Sequence, residues 1–159
     1  MRTLAVRKLR YRGRMKIGNI TFDCADPGRL ARFWAAVFGY PAGGNALDAP
    51  EEFTRPLREA GLTDDDLASR GLAEDPHGVG PRFYFHRVPE PKIAKNRMHL
   101  DLNVGDGQRR AERHEVDAEV ERLVGLGATV IRKHDSAWGP WPEYHYVLAD
   151  PEGNEFCVQ

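Results

Sequence analysis

Cysteine is scarce in this chain: Cys24 and Cys157 are the only two among 159 residues. Both fall in stretches that read as strands rather than in a loop framework, so the expectation is free thiols in a reducing cytoplasm, with a disulfide as the alternative. No run approaches the roughly eighteen apolar residues that a membrane helix needs, and the N-terminus shows no apolar leader core followed by small residues. No membrane partner is expected, and cytoplasmic residence is. An excess of one charge is also missing, because 23 Lys and Arg stand against 24 Asp and Glu for a net charge of −1. No nucleic-acid partner is implied. A phosphate loop, a dinucleotide fingerprint and a nucleophile elbow are absent as well, which argues against phosphoryl and hydride transfer.

What is present reads as one globular domain: 41% hydrophobic and 30% charged residues, in a chain long enough to bury its own core without staples. Met1 to Lys16 carries seven Lys or Arg and no acid. We read residues 1–14 as a basic tail ahead of a domain spanning 15–159, with Met15 the expected physiological start because the sheet pattern begins just after it.

The chain is arranged around Met98 to Val104, M-H-L-D-L-N-V, where Met98, Leu100, Leu102 and Val104 alternate with His99, Asp101 and Asn103. That period of two marks a strand buried on one face. Asn19 to Asp26 repeats the pattern, with Ile20, Phe22 and Cys24 against Asn19, Thr21 and Asp23. Each strand is followed by an amphipathic helix. Asp26-Pro27 starts the first, and Leu30, Phe33, Trp34, Val37 and Phe38 form its apolar stripe before Gly39 stops it. The second spans about Arg113 to Leu126, with Val116, Val120, Leu123 and Val124 in its stripe and Gly127 at its end.

Residues 42–80 are the excess of the first copy over a compact repeat, and read as a lid or surface insert. Thr63 caps a short helix within it, and its acids lack the ligand spacing of a calcium loop. Arg82 to Val88 alternates as a further strand that presents Tyr84 and His86 on its polar face. Residues 128–132 and 144–149 read as strands, and 154–159 as the closing one, after the turn Asp150-Pro151-Glu152-Gly153. His134 to Pro142 reads as a loop whose Trp138 and Trp141 have no periodic reason to be core, which makes them candidate ligand walls.

The polar sets converge on one candidate site. His99, His86 and Glu155 are its candidate catalytic groups, since histidine titrates near neutrality and a neighbouring carboxylate fixes its tautomer. Asn19, Asp23, Tyr84, Asp101, Cys157, Trp138 and Trp141 are its candidate ligand contacts. The bland alternatives weigh nearly as much: Asp101 beside His99 is also what a structural histidine uses. Lys92, Lys95 and Arg97 read by default as solvated linker charges.

Together N-I-T-F-D-C-A-D-P with a helix ending F-G-Y, M-H-L-D-L-N-V with a helix ending L-G-A-T-V, and the closing D-P-E-G-N-E-F-C-V resemble the glyoxalase/bleomycin-resistance/extradiol-dioxygenase superfamily, the vicinal oxygen chelate proteins. The run V-P-E-P-K-x-x-K-N-R-x-H-L-D-L is similar to its glyoxalase-like branch. The resemblance implies an α+β fold of two βαβββ modules, residues 16–88 and 97–159, whose mixed sheets curl around a cleft with helices on the convex side. It also implies a homodimer. In the metal-using members, a His or Glu opening the first strand of each module and a Glu near the end of the last strand hold a divalent ion. The matching positions here carry Asn19, His99 and Cys157. That set is poor for an oxygen-chelating ion, whereas zinc can take His99, Cys157 and one of His86 or Glu155. Three function classes follow: sequestration of a small planar or anionic ligand without metal, a metal-dependent lyase or isomerase of the glyoxalase type, and a non-catalytic interaction domain.

Overall fold

The computed structural model describes residues 16–105 and 109–159, so the basic tail read at 1–14 lies outside the described residues. The first module runs β1 (Ile20–Cys24), α1 (Pro27–Phe38), β2 (Gly43–Asn45), α2 (Glu51–Glu59), α3 (Asp64–Ala68), β3 (Arg70–Ala73) and β4 (Phe83–Arg87). The second runs β5 (Asp101–Leu102), α4 (Arg113–Gly125), β6 (Thr129–Trp138), β7 (Trp141–Ala149) and β8 (Glu155–Val158). Each makes a four-stranded sheet of one order, β1-β4-β3-β2 and β5-β8-β7-β6. In each the first strand pairs parallel to the last and the other pairs are antiparallel. This is the α+β pair of βαβββ units expected from the sequence. Among the described residues no helix is long and apolar enough to cross a membrane.

Local chemistry explains most boundaries. The Asp26 carboxylate accepts from the Arg29 amide at 3.0 Å, Pro27 opens α1, and Gly39 closes it at φ 68°, a left-handed conformation that costs glycine nothing. Thr63 and Asp66 form a reciprocal capping box at the start of α3, as the sequence indicated.

Residues 42–80 behave differently from a lid. They supply β2 and β3, half of the first sheet, and only α2, α3 and a short turn lie outside it. Their glycines hid the strands. A Cβ on Gly43 would meet the Ala31 carbonyl oxygen, and one on Gly71 the Pro27 carbonyl oxygen, so α1 lies on the sheet closely enough to require glycine where strand propensity disfavours it.

Two other readings are corrected. The stretch read as a loop at 134–142 is strand: β6 and β7 form a long hairpin that turns at Gly139-Pro140, with a register shift between Val130 and Arg132. Because most of β6 is exposed, no alternation of apolar and polar residues announces it. Conversely the strand expected over 98–104 shrinks to Asp101–Leu102, although the carbonyls of Leu100 and Leu102 still accept from the amides of Cys157 and Gln159.

One core joins the modules. Trp34, fully buried, lies 5.2 Å from Phe22, 5.3 Å from Phe83 and 5.2 Å from Phe156 of the second module, ring centroid to centroid. Its indole nitrogen donates to Asp150 Oδ2 at 3.2 Å. The amides of Glu152 and Asn154 each donate to Asp150 Oδ1 at 2.9 Å, and Asn154 Nδ2 donates to Oδ2 at 2.9 Å. Glu152 in turn accepts from the amides of Ala25 at 2.6 Å and Asp26 at 2.7 Å. At the far end of α1, Arg122 of α4 donates to the carbonyls of Ala36 and Val37 at 3.1 and 3.0 Å.

Asp150→Ala leaves the Trp34 and Asn154 donors buried without an acceptor, and each such loss costs about 1–3 kcal/mol. We expect a destabilisation of roughly 3 kcal/mol in urea unfolding. A loss below about 1 kcal/mol shows that the turn does not tie the modules.

Candidate functional site

A cleft of about 880 Å³ opens where the first sheet ends at β1 and the second at β5. Its walls come from β1, from the N-terminus of α1, from the crossing segment that includes Glu90, Pro91, Lys92, Asn96 and Met98, and from the turn before β8. Ile20, Phe22 and Leu100, each partly exposed, supply the apolar part, over the buried Trp34 and Phe156. Asp23, Arg29, His99 and Glu155 are among the polar groups.

The crossing segment cannot pair as a strand because Pro89 and Pro91 donate nothing. Glu155 ties it down instead, accepting from Lys92 Nζ at 3.2 Å and from the Asn96 amide at 2.9 Å. Partial burial pushes the Glu155 carboxyl up, but those hydrogen bonds outweigh it and hold the group below the usual carboxylate range. Glu155, expected as a catalytic group, is thus committed to the strap.

His99 lies where two concavities meet. It lines the cleft and also a smaller pocket of about 360 Å³ on the open face of the second sheet, with Asp101, His145 and Cys157. His99 Nδ1 is 2.8 Å from Asp101 Oδ1 and 3.7 Å from Cys157 Sγ. Asp101 and Cys157 face each other across the parallel β5–β8 pair. Burial, then the Asp101 charge, pushes the Cys157 thiol up to about 11. His145 stacks on His134, 4.4 Å between centroids, and burial followed by that neighbour lowers its pKa. This stacked pair was not singled out in the sequence, because the hairpin that aligns His134 with His145 was not recognised.

The other expected residues go elsewhere. Asp23 lines the cleft, while Tyr84 and His86 lie outside its lining on the open face of the first sheet. There Arg70 Nη1 donates to Tyr84 Oη at 3.2 Å, and His86 Nδ1 is 4.0 Å from Asp23 Oδ1. Asn19 is exposed one residue before β1 and also outside the cleft lining. Trp138 and Trp141 stack 5.3 Å apart at the hairpin tip, 70% and 61% exposed, away from the cleft. Trp34, read from its spacing as core, is core: the ring is fully buried, beneath the cleft wall.

Among the described residues, one group of His, Cys, Asp and Glu brings donor atoms close enough for one ion: His99, Asp101 and Cys157, within 4.8 Å of one another. Neither His86 nor Glu155 is its third member. The donor set is nitrogen, carboxylate oxygen and sulfur, which fits a borderline-soft ion such as zinc and fits manganese poorly. These three residues would hold such an ion, which would supply Lewis-acid polarisation of a bound oxygen.

The family model described as the glyoxalase-like domain matches residues 19–159. No curated protein sequence matches. Among solved structures the chain is similar to a glyoxalase/bleomycin resistance protein/dioxygenase family enzyme from Burkholderia phytofirmans PsJN, with 17% identity and a TM-score of 0.54 over 88% of this chain and 94% of that one. A glyoxalase-related enzyme from Fulvimarina pelagi shares 20% identity and a TM-score of 0.53 over 90% and 86%. A mutant of the fosfomycin resistance protein FosX from Listeria monocytogenes, solved with Mn(II) and 1S,2S-dihydroxypropylphosphonic acid, shares 13% identity and a TM-score of 0.57 over 91% and 90%. At these identities the likeness is one of fold.

Both cysteines are free and buried, and Cys24, pushed up to about 12 by burial and then by Glu152 and Asp26, donates its thiol to the His86 carbonyl at 3.6 Å. Only the thiolate alkylates, so in metal-free protein at about pH 7 iodoacetamide labelling should be slow and should rise as the pH climbs, at Cys157 before Cys24. Rapid labelling of Cys157 at neutral pH, read by peptide mass spectrometry, contradicts this.

Proposed function

The chain belongs to the glyoxalase-like domain family, and from that premise we propose that it binds and sequesters a small planar ligand in the cleft between its two sheets. The observation that carries this reading is the cleft itself. Its volume of about 880 Å³ falls within the roughly 300–1,000 Å³ of small-molecule sites, and it combines an apolar wall with a few convergent polar groups. Phe22, the partly exposed ring on the cleft wall, favours a flat, partly aromatic ligand. An anionic one fits less well, because Asp23, Asp26, Glu90, Glu152 and Glu155 outnumber Arg29 and Lys92 around the cleft, and Lys92 is already paired with Glu155.

A second reading, lyase or isomerase chemistry of the glyoxalase kind, is supported by the His99–Asp101 contact. A carboxylate at 2.8 Å from the ring orients it and fixes its tautomer on the cleft wall, the positioning that proton transfer needs. The Mn(II) of FosX shows that the fold accommodates metal chemistry in another protein.

A thermal-shift screen of planar metabolites, followed by titration of the best hit, tests the binding reading. His99→Ala should weaken that ligand about tenfold, the loss of one hydrogen bond, while the melting temperature stays nearly unchanged. The double variant Trp138→Ala with Trp141→Ala should bind within about twofold of the parent, because these rings stand at the hairpin tip. Unchanged affinity in His99→Ala together with a lowered melting temperature would assign His99 to the scaffold and remove it from the site.

A further inference from the structure

We propose that the second module alone builds a zinc-type centre, with His99, Asp101 and Cys157 as its three protein ligands and a fourth position open toward His145. The resemblance places the ion between modules, on Asn19, His99 and the position of Cys157. This chain gathers its donors differently. Asp101 and Cys157 are direct partners in the β5–β8 pair, so their side chains leave one face of the sheet side by side. His99, two residues before Asp101, brings its ring to the same side. Asn19 lies in the other module and lines neither the cleft nor the smaller pocket.

The two separations from His99 lie near those of a tetrahedral ion, and all three donor atoms fall within 4.8 Å of one another. Bonds of about 2.0 to 2.3 Å separate neighbouring donors by roughly 3.3 to 3.6 Å. The 3.7 Å between His99 Nδ1 and Cys157 Sγ needs almost no adjustment. The 2.8 Å between His99 Nδ1 and Asp101 Oδ1, now a hydrogen bond, has to open by about half an ångström, and Asp101 is exposed enough to turn. Charge agrees as well: one carboxylate and one thiolate balance a dication beside a neutral imidazole, and the thiol proton leaves to solvent as the ion binds. Sulfur and nitrogen donors select zinc or cobalt over manganese, so the ion differs from the one FosX holds. The open position faces the pocket of about 360 Å³ that His145 and Arg110 line, where water or an oxygen donor completes the shell.

This centre goes beyond the binding reading and does not depend on it, because a metal titration needs no organic ligand. The test uses full-length, metal-stripped protein and cobalt(II). One equivalent should bind and give a near-ultraviolet thiolate-to-cobalt absorption band. Cys157→Ser should abolish the band, Asp101→Ala should weaken cobalt binding at least about tenfold, and Asn19→Ala should change neither. Because Asp101 is exposed, its variant keeps the fold even where Cys157→Ser does not. The proposal is overturned by the absence of the band in the parent, by its persistence in Cys157→Ser, or by an effect of Asn19→Ala as large as that of Asp101→Ala.

Discussion

Two carboxylates on one turn hold this molecule together. Asp150 and Glu152 belong to the second module, yet Asp150 takes the indole proton of Trp34 and Glu152 takes the amides of Ala25 and Asp26, all in the first. Burial pushes the Asp150 carboxyl up in pKa, and its hydrogen bonds from Asn154, Glu152 and Trp34 pull the other way. A buried acceptor surrounded by four donors is costly to disturb and therefore specific in where it sits. Trp34, fixed from above by the turn and from the sides by Phe22, Phe83 and Phe156, becomes the point at which the two sheets share one core.

From that joint the functional surfaces follow. The turn leads directly into β8, so fixing it fixes Glu155 and Cys157, which face the cleft strap and the pocket on the second sheet respectively. β1 and β5 end their sheets on either side of the seam, and a proline-interrupted strap runs where a strand would otherwise close it. A cavity results because the sheet is interrupted there, and His99, at the end of the strap, reaches both the cavity and the metal-competent group. The modules are alike in topology but unlike in chemistry. The matching open face of the first carries Asp23, Tyr84 and His86 without a thiol, and its Asp–His separation of 4.0 Å is longer than a hydrogen bond.

The fold was legible in the sequence wherever one face of an element is buried. The alternations around Ile20, Phe83 and Phe156 and the stripe through Leu30, Trp34 and Val37 are burial patterns, and the structure places those elements accordingly. What escaped had no such signal. β2 and β3 are short and carry glycine where α1 comes too close for a side chain, and β6 is exposed along most of its length. The site was legible in part: His99, Asp101 and Cys157 were recognised as sharing a face, since spacing of two along a strand and the last motif put them there. Asp101 beside His99, and His99 with Cys157 on one ion, were anticipated; that Asp101 rather than His86 or Glu155 completes the group was not, because the register of β5 against β8 is a tertiary fact. The hairpin tryptophans misled for the opposite reason, an absence of periodicity being read as ligand contact.

The central claim is that the Asp150 turn makes one cooperative unit of two modules and so places the site. Native-state hydrogen exchange on the parent and on Asp150→Ala measures this most directly, comparing the amide of Phe85 in β4 with that of Leu148 in β7. Amides of strands that open only with the whole domain report the same free energy. The account predicts equal protection of the two amides in the parent and an equal loss in the variant. A loss confined to Leu148, with Phe85 as protected as before, would show two modules that unfold separately and contradict it.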